Sequence, residues 1–346
     1  MLEILKDYGL FLAKTITIVL AIVMIIRGVV AAVQREREMS RERIMVRKLN
    51  QHYENLRDGL QHEMLHPVEL KKEIKEKHKQ HKSEAKQLKK APPPEKKKIF
   101  VLNFKGDLRA SAVNSLREEI TAVLTVAKAE DEVVLRLESS GGLVHSYGLA
   151  ASQLQRLKQK KIPLTVTIDK VAASGGYLMA CVGDRILAAP FAIVGSIGVL
   201  SQVPNFHRLL KKHDVDYEEI TAGEYKRTLS IFGEVTEKGR QKFIEQVEET
   251  HTLFKEFIRE NRVQIDIDGV ATGEYWYGKR ALDLKLVDEL LASDDYLFAA
   301  SVTRDIYEIT YKPKETLREK LAMGLEESLG RVLFSLWERA EKKRLE

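Results

Sequence analysis

A serine and a lysine lie along this chain in a pattern that would support acyl transfer. Ser174 stands in the run Ala-Ala-Ser-Gly-Gly-Tyr at 172–177, and Lys226 ends the run Gly-Glu-Tyr-Lys at 223–226. Residues 163–169 before the serine are typical of a buried strand, and residues 176–182 after it are typical of a helix. A serine at a Gly-rich turn from strand to helix presents its hydroxyl outward. That hydroxyl becomes a nucleophile when a base removes its proton, and a neutral lysine amine can be that base.

Three glycines and a second serine are candidates to complete such a site. The oxyanion of an acyl transfer needs hydrogen-bond donors, and the backbone N–H groups of Gly141, Gly142 and Gly175 could supply them. Gly141 and Gly142 close the run Glu-Ser-Ser-Gly-Gly, which equally suits an ordinary tight turn. Ser196, in Gly-Ser-Ile-Gly, is a candidate to orient the lysine amine and equally an ordinary turn serine. The lysine must be neutral to act, which desolvation by an apolar substrate or a neighbouring subunit would favour.

Other chemistries have weaker support. The serine turn could be only a helix N-cap, with Lys226 an ordinary surface charge. A Ser-His-Asp triad is a competing hypothesis, but His145, the histidine nearest to a Gly-rich turn, has no pattern that links it to Ser174. Five of the nine histidines lie in a basic segment, and the single cysteine, Cys181, has no partner for a disulfide. We therefore expect no metal site and no cofactor.

Alternating strands and helices are predicted around these residues. Strands are predicted at 99–103, 132–137, 163–169, 185–189 and 306–311, and helices at 110–127, 143–158, 176–182, 237–261 and 275–284. Short connections between strand, helix and strand indicate parallel βαβ units, so the predicted fold class is α/β. The two Gly-rich turns then follow the C-terminal ends of strands and should lie close together. The apolar run 191–203, interrupted by Gly and Ser, predicts a buried strand and loop.

Four regions are predicted along the chain. The N-terminal region 1–33 contains an apolar run at about 10–33, which is the candidate membrane span. Residues 34–98 form a charged helical stalk that ends in a Pro-rich linker. Residues 99–313 carry the site motifs. Residues 314–346 are predicted to form an amphipathic C-terminal helix, because leucines recur there at steps of four.

The basic charge is concentrated in the stalk. Residues 34–98 contain 19 Lys or Arg against 11 Asp or Glu, whereas the net charge of the whole chain is only +6. The remainder is close to neutral, which argues against a nucleic-acid-binding core. Arginines follow the span directly, and the positive-inside rule then places the rest of the chain in the cytoplasm. A cleaved signal peptide is the alternative to a span, but no clear cleavage site follows the apolar run.

Four motifs in order resemble the signal-peptide-peptidase-A family of membrane serine proteases. They are Glu-Ser-Ser-Gly-Gly at 138–142, Ala-Ala-Ser-Gly-Gly-Tyr at 172–177, Gly-Ser-Ile-Gly-Val at 195–199 and Gly-Glu-Tyr-Lys at 223–226. The resemblance covers about residues 100–290. The N-terminal span, basic segment and proline break are similar to the SohB-type branch of that family. Two departures stand out: Lys285 replaces a glycine that usually precedes Leu-Val-Asp, and the chain has one catalytic repeat.

The resemblance implies a Clp-protease/crotonase-like fold and a Ser–Lys dyad. It places Ser174 as nucleophile, Lys226 as general base and Ser196 as support for the lysine. Gly141, Gly142 and Gly175 fall in the oxyanion region. The resemblance also implies ring-like homo-oligomers, a bacterial inner-membrane location with a single span, and a periplasmic catalytic domain, in conflict with the charge rule.

Three functions remain open from the sequence. The first is a membrane-anchored serine endopeptidase that forms an acyl-enzyme and cleaves peptides or fragments of membrane proteins. The second is a crotonase-like acyl-CoA enzyme, which would use the same Gly-rich turns without a serine nucleophile. The third is a non-catalytic scaffold on the membrane. The four co-occurring motifs favour the first.

Overall fold

The computed structural model describes residues 42–66 and 96–313, with single positions outside these ranges. Apart from those single positions, three predicted regions lie outside the described residues: the membrane span at 10–33, most of the stalk, and the C-terminal helix at 314–346. Within the described part of the chain, no helix combines the length and apolar character needed to cross a bilayer. Residues 44–311 form one compact unit, to which the following description applies.

A seven-stranded sheet lies at the centre of this unit. Its strands are β1 (Arg43–Lys48), β2 (Lys98–Lys105), β3 (Glu132–Glu138), β4 (Leu164–Ile168), β6 (Arg185–Ala188), β9 (Glu289–Leu290) and β10 (Asp305–Lys312). The spatial order is β1-β10-β2-β3-β4-β6-β9. Every neighbouring pair from β10 to β9 is parallel. The parallel sheet confirms the predicted α/β class, and the described strands of its centre coincide with the predicted apolar runs.

A second, three-stranded sheet was not predicted. It consists of β5 (Val171–Ala173), β7 (Ile193–Gly195) and β8 (Tyr275–Tyr277) in that order. Strand β5 is parallel to β7, and β8 is antiparallel to β7. These strands are too short for an alternating pattern to identify them. Because Ala173 pairs with Gly195, this sheet fixes where Ser174 and Ser196 leave their strands.

Nine helices lie in the described ranges. They are α1 (Leu49–Met64), α2 (Val113–Val126), α3 (Val144–Gln159), α4 (Gly175–Ala180), α5 (His207–Lys212), α6 (Glu237–Asn261), α7 (Ile267–Val270), α8 (Gly278–Asp283) and α9 (Ser293–Ala300). The predicted helix at 237–261 is confirmed. The predicted helix at 275–284 is wrong over its first three residues, because the Tyr-Trp-Tyr segment pairs with β7 and the helix begins only at Gly278.

Each face of the large sheet buries its own apolar cluster. On one face, side chains of α2, α3 and α4 pack on the strands; Leu116, Leu154 and Tyr177 are fully or almost fully buried there. On the other face, Leu49 of α1 and Leu297 of α9 pack on Ile99, Val101, Val134 and Ile306. Buried apolar area is the main stabilising contribution to such a fold. The α3 and α4 side is the one that carries the serine.

Two sequence predictions need correction. Residues 43–48, within the predicted helical stalk, are instead strand β1 at the edge of the sheet, and Leu49 is buried. The alternating Ile44 and Val46 suit an edge strand, but the surrounding charges concealed this pattern. The run 191–203 is buried only in part, because Phe191 and Leu200 are largely exposed.

A buried ion pair fixes the C-terminal end of the long helix α6. Arg262, only 3% exposed, makes two contacts with Asp288, at 2.6 and 2.9 Å. Asp288 also accepts the backbone N–H of Ile186 in β6 at 2.7 Å. Removing one partner of such a pair leaves an uncompensated buried charge, which costs about 3–5 kcal/mol.

Lys285, three residues before Asp288, has φ 59°. The lysine therefore adopts the left-handed backbone conformation that a glycine would favour.

Candidate active site

Ser174 lies in a strained turn between β5 and α4. Its backbone has φ 52° and ψ −121°, which is unusual for a residue with a side chain. Two hydrogen bonds hold this conformation: the Ser174 N–H donates to the Gly195 carbonyl at 2.8 Å, and the Leu178 N–H donates to the Ser174 carbonyl at 3.0 Å. Strain of this kind clusters at functional sites, where surrounding structure fixes it. The side chain is half-buried.

The predicted proximity of the two Gly-rich turns is confirmed. Ser139, at the end of β3, forms an isolated parallel bridge with Ala172 of β5. Gly141, two residues later, has φ 88° and lies so close to Ser174 that an added Cβ would come within 2.8 Å of the serine Cβ. A side chain at 141 would therefore meet both backbone strain and collision. The turn at 138–142, named here the Gly141 turn, lies against the serine.

A mainly apolar cavity opens beside the serine. Its volume is about 300 Å³. The wall combines Gly142 and residues of three helices with the serine turn: Val144, Tyr147, Gly148 and Ala151 from α3, Ser174, Gly175 and Leu178 around α4, and Leu253, Phe254 and Phe257 from α6. Apolar lining of this kind favours an apolar side chain of a ligand.

A chain of hydrogen bonds runs behind the Gly141 turn. The Gly141 N–H donates to Ser139 Oγ at 3.1 Å, Ser139 Oγ and Tyr147 Oη are 2.6 Å apart, and Tyr147 Oη donates to the Asp107 carbonyl at 2.7 Å. A carbonyl oxygen can only accept, so the tyrosine proton points at Asp107 and the serine hydroxyl donates to Tyr147. Burial raises the pKa of the Tyr147 hydroxyl, opposed by its bond to Ser139, so it stays protonated.

This chain separates the three predicted oxyanion donors. The N–H of Gly141 is engaged by Ser139, whereas the N–H groups of Gly142 and Gly175 have no hydrogen-bond partner among the residues that the structure describes. Gly142 and Gly175 also line the cavity with Ser174. Of the three predicted donors, Gly142 and Gly175 are thus the two whose N–H groups are available to a bound carbonyl.

The structure keeps Ser196 near Ser174 but does not bring Lys226 into the cavity wall. Ser196 directly follows Gly195, the residue that pairs with Ala173. It has φ 51°, and its N–H donates to the Glu274 carbonyl at 2.7 Å. Lys226 is exposed and is absent from the residues that line the cavity. It belongs to a stretch at 200–232, named here segment 200–232, in which most side chains are exposed.

The geometry does not support a Ser-His-Asp triad, a cysteine nucleophile or a metal site among the described residues. His145 is exposed and does not line the cavity. Cys181 is buried, and burial raises the pKa of its thiol to about 12, so the thiolate is not available as a nucleophile. Within the described ranges, no group of three or more His, Cys, Asp or Glu residues is arranged to hold a metal ion.

Comparison with known proteins identifies the family. Residues 3–154 match the model of the N-terminal region of peptidase family S49, and residues 156–306 match the model of peptidase family S49 itself. The chain is 48% identical over 338 residues to a protein of Haemophilus influenzae named probable protease SohB, covering 96% of each chain. The chain belongs to peptidase family S49.

Two further relatives carry similar names. A probable protease SohB of Buchnera aphidicola from Acyrthosiphon pisum is 53% identical over 242 residues, covering 70% of this chain and 72% of its own. A putative protease SohB of Buchnera aphidicola from Baizongia pistaciae is 40% identical over 347 residues, covering 96% of this chain and 98% of its own. Membership of S49 supports a peptidase function and peptide substrates, and does not favour the acyl-CoA enzyme or the scaffold.

Two parts of this candidate site were not predicted from the sequence. Tyr147 and Ser139 form the chain behind the Gly141 turn, and α6 supplies one wall of the cavity. In the sequence, Tyr147 occupies an ordinary apolar position of an amphipathic helix. Its spacing therefore does not indicate that its hydroxyl contacts Ser139. The apolar face of α6 is visible in the sequence, but the surface on which it packs is not.

Proposed function

We propose that this protein is a membrane-anchored serine endopeptidase that uses a Ser174–Lys226 dyad. The observation that carries the proposal is the position of Ser174 in a chain of peptidase family S49. The serine lies in a strained turn that lines an apolar cavity, and the N–H groups of Gly142 and Gly175 beside it have no hydrogen-bond partner among the described residues. The parallel sheet is consistent with the Clp-protease/crotonase-like fold, which we propose for the core.

The reaction we propose has two halves. Ser174 Oγ attacks the scissile carbonyl carbon while the neutral Lys226 amine takes its proton. The N–H groups of Gly142 and Gly175 stabilise the oxyanion, and the C–N bond then breaks as the lysine ammonium returns the proton to the leaving amine. Water attacks the acyl-enzyme in the same way, with Lys226 again as base, and releases the new carboxyl end.

Lys226 needs a partner surface to fulfil this role. An exposed ammonium is strongly solvated, and desolvation is what favours the neutral amine. Segment 200–232 also exposes large apolar side chains, among them Leu200, Phe206 and Ile220. Exposed apolar surface of this kind is typical of protein interfaces. We propose a homo-oligomer in which a second copy covers segment 200–232, excludes water from Lys226 and completes the dyad, with Ser196 supporting the amine.

The proposed substrates are extended apolar peptides, including fragments of membrane proteins. The cavity beside Ser174 presents mainly apolar atoms from α3, α4 and α6. Anchoring would come from residues 10–33, which carry the apolar run in the sequence, and we propose a bacterial inner-membrane location. A reporter fused after Glu346 and active on one side of the membrane would decide between periplasm and cytoplasm.

The test of the dyad is peptide hydrolysis by Ser174→Ala and Lys226→Ala variants of the full chain. Both should lose at least about a thousandfold in kcat, as removal of a nucleophile or its base does in other serine enzymes. Ser146→Ala and Lys279→Ala are matched controls outside the cavity wall and outside segment 200–232, and they should retain activity. If both dyad variants hydrolyse peptide at the wild-type rate, the proposal is wrong.

A mixing experiment tests where the base comes from. Ser174→Ala and Lys226→Ala proteins are co-assembled after dissociation in detergent. If the lysine acts across a subunit boundary, mixed assemblies contain intact dyads and regain part of the activity. If the two groups must come from the same copy, the mixture stays inactive, and the shared dyad is excluded.

A further inference from the structure

The hydrogen-bond chain behind the Gly141 turn has no acid–base role in the reaction, yet it is buried and fully satisfied. Ser139 is 2% exposed and Tyr147 is fully buried. Each hydroxyl has both a donor and an acceptor: Ser139 Oγ receives the Gly141 N–H and donates to Tyr147, which donates to Asp107. Fully satisfied buried networks fix one local conformation.

Tyr147 contacts both halves of the proposed oxyanion site. Its hydroxyl contacts Ser139, which holds the Gly141 turn, and its ring packs on the serine turn so closely that a Cβ at Gly175 would lie 2.5 Å from the ring Cγ. One side chain therefore spans the distance between the two turns that carry Gly142 and Gly175. A change in its position would move these two N–H groups relative to each other.

Occupying the Gly141 N–H sets the orientation of the next peptide group. The Ser139 hydroxyl draws the Gly141 N–H inward, and the Leu143 N–H donates to the Leu108 carbonyl at 2.8 Å. Hydrogen bonds on both sides of Gly142 thus fix the turn while leaving its own N–H without a partner in the described part of the chain. An oxyanion donor is effective only when it is oriented before the reaction, since reorientation costs free energy in the transition state.

We propose that Ser139 and Tyr147 are positioning residues that orient the Gly142 and Gly175 N–H groups toward the oxyanion. The inference rests on the proposed peptidase mechanism and extends it to two residues that touch neither substrate carbonyl nor lysine. Their contribution belongs to the transition state, because the oxyanion develops only there. It should appear in kcat and leave substrate binding almost unchanged.

The experiment compares Ser139→Ala, Tyr147→Phe and the double variant in the full-length protein. Each single change should lower kcat for an apolar peptide by roughly tenfold or more, with KM changed by less than about twofold. The double variant should lose no more than the worse single variant, because both changes break the same chain. Tyr296→Phe is the control: it removes a hydroxyl bonded to Glu132 at 2.6 Å on the other face of the sheet and should leave kcat unchanged.

A second readout compares two inhibitors of the same peptide sequence. A peptide aldehyde, which forms a tetrahedral adduct on a serine, should bind the variants less tightly by the same factor as the loss in kcat. The corresponding peptide carboxylate, a product, should bind as it does to wild type. Unchanged kcat in variants that fold like wild type, or a rise in KM with kcat retained, would overturn the positioning role.

The same assay separates failure of this inference from failure of the proposed function. A serine-directed fluorophosphonate should label wild-type protein at Ser174. If wild type is labelled and active but the Ser139 and Tyr147 variants match it, only the positioning role is wrong. If wild type is neither labelled at Ser174 nor dependent on it, the peptidase mechanism itself is wrong. Should Tyr147→Phe fail to fold, Ser139→Ala, which removes one oxygen atom, carries the test.

Discussion

Ser174 combines a proposed chemical role with an unfavourable backbone conformation. Its φ of 52° and ψ of −121° belong to a region that glycine adopts freely and other residues rarely do. The turn itself could be predicted from the sequence, because Ala-Ser-Gly-Gly after an apolar run indicates an exposed serine. The dihedral angles are not readable, because they depend on the bond from Ser174 to Gly195 in another strand.

This strain predicts a stability difference between two inactive variants. Ser174→Gly should be more stable than Ser174→Ala by about 1 kcal/mol, because glycine relieves the positive φ and alanine keeps it. Urea unfolding of the full chain measures the difference. Equal stability of the two variants, or a more stable alanine variant, would show that the turn holds no strain.

Glu119 predicts how stability depends on pH. Its carboxyl is buried in α2, where one oxygen accepts the Tyr311 N–H at 2.8 Å and the other has no partner in the described chain. Burial raises its pKa to about 7, opposed by the bond from Tyr311. The folded state therefore holds this proton more tightly than the unfolded state. Stability should be highest below about pH 4.5 for this group and should fall by about 3 kcal/mol as pH rises through 7.

Glu119→Gln should remove that fall. The amide keeps an acceptor for the Tyr311 N–H and has no charge to desolvate, so the variant should be more stable than wild type at pH 8 and similar at pH 4.5. Urea unfolding across this range measures it. Glu118→Gln, at the neighbouring and more exposed position, is the control. A wild-type pH dependence that survives in Glu119→Gln would assign it to other groups.

At the scale of elements, the parallel sheet could be predicted and its edges could not. Central strands such as β3 and β4 are buried on both faces and form continuous apolar runs. Edge strand β1 and the short strands β5 and β8 depend on partners far along the chain. The cavity could not be predicted either, because its walls come from α3, α4 and α6, which are separated along the chain.

Gly148 sets the room that α3 leaves in this cavity. It lines the wall, and a Cβ at this position would meet no atom of the described residues within 4 Å. Gly148→Leu should fill the space and lower kcat/KM for peptides with a bulky apolar side chain by roughly tenfold or more, while peptides with alanine at that position lose less. Hydrolysis of the two peptides in competition measures the ratio.

Gly59→Leu is the matched control for this substitution. Gly59 lies in helix α1, where an added Cβ would likewise meet no atom within 4 Å in the part of the chain that the structure describes, and it is not among the residues that line the cavity. The control should leave the ratio of the two peptides as in wild type. If Gly148→Leu does so as well, the cavity does not receive the substrate side chain.

In the whole molecule, the role we propose for segment 200–232 depends on contact with a second copy of the chain. The four ordered motifs predict the family, and the comparisons confirm it. Assembly stays a prediction, because an interface is a property of two surfaces and one sequence does not show which pairs meet. The exposed apolar side chains of the segment indicate where to look.

Ile220→Glu should disrupt assembly and activity together. Ile220 is 95% exposed in the single chain, and a charge there would be costly to bury against a second copy. Sedimentation in detergent should show smaller particles, and peptide hydrolysis should fall with them. Val302→Glu, an exposed apolar position outside the segment, is the control and should change neither. A variant that dissociates but keeps full activity would show that one copy suffices.

Trapping the acyl-enzyme would show directly whether Ser174 is the nucleophile. Full-length protein is incubated with an activated ester of an apolar peptide, quenched in acid and digested, and the modified residue is identified by mass spectrometry. We predict an acyl group on the Ser174 hydroxyl that is absent from the Ser174→Ala variant and strongly reduced in Lys226→Ala. Acylation of a different residue, or peptide turnover by Ser174→Ala at the wild-type rate, would contradict the proposed mechanism.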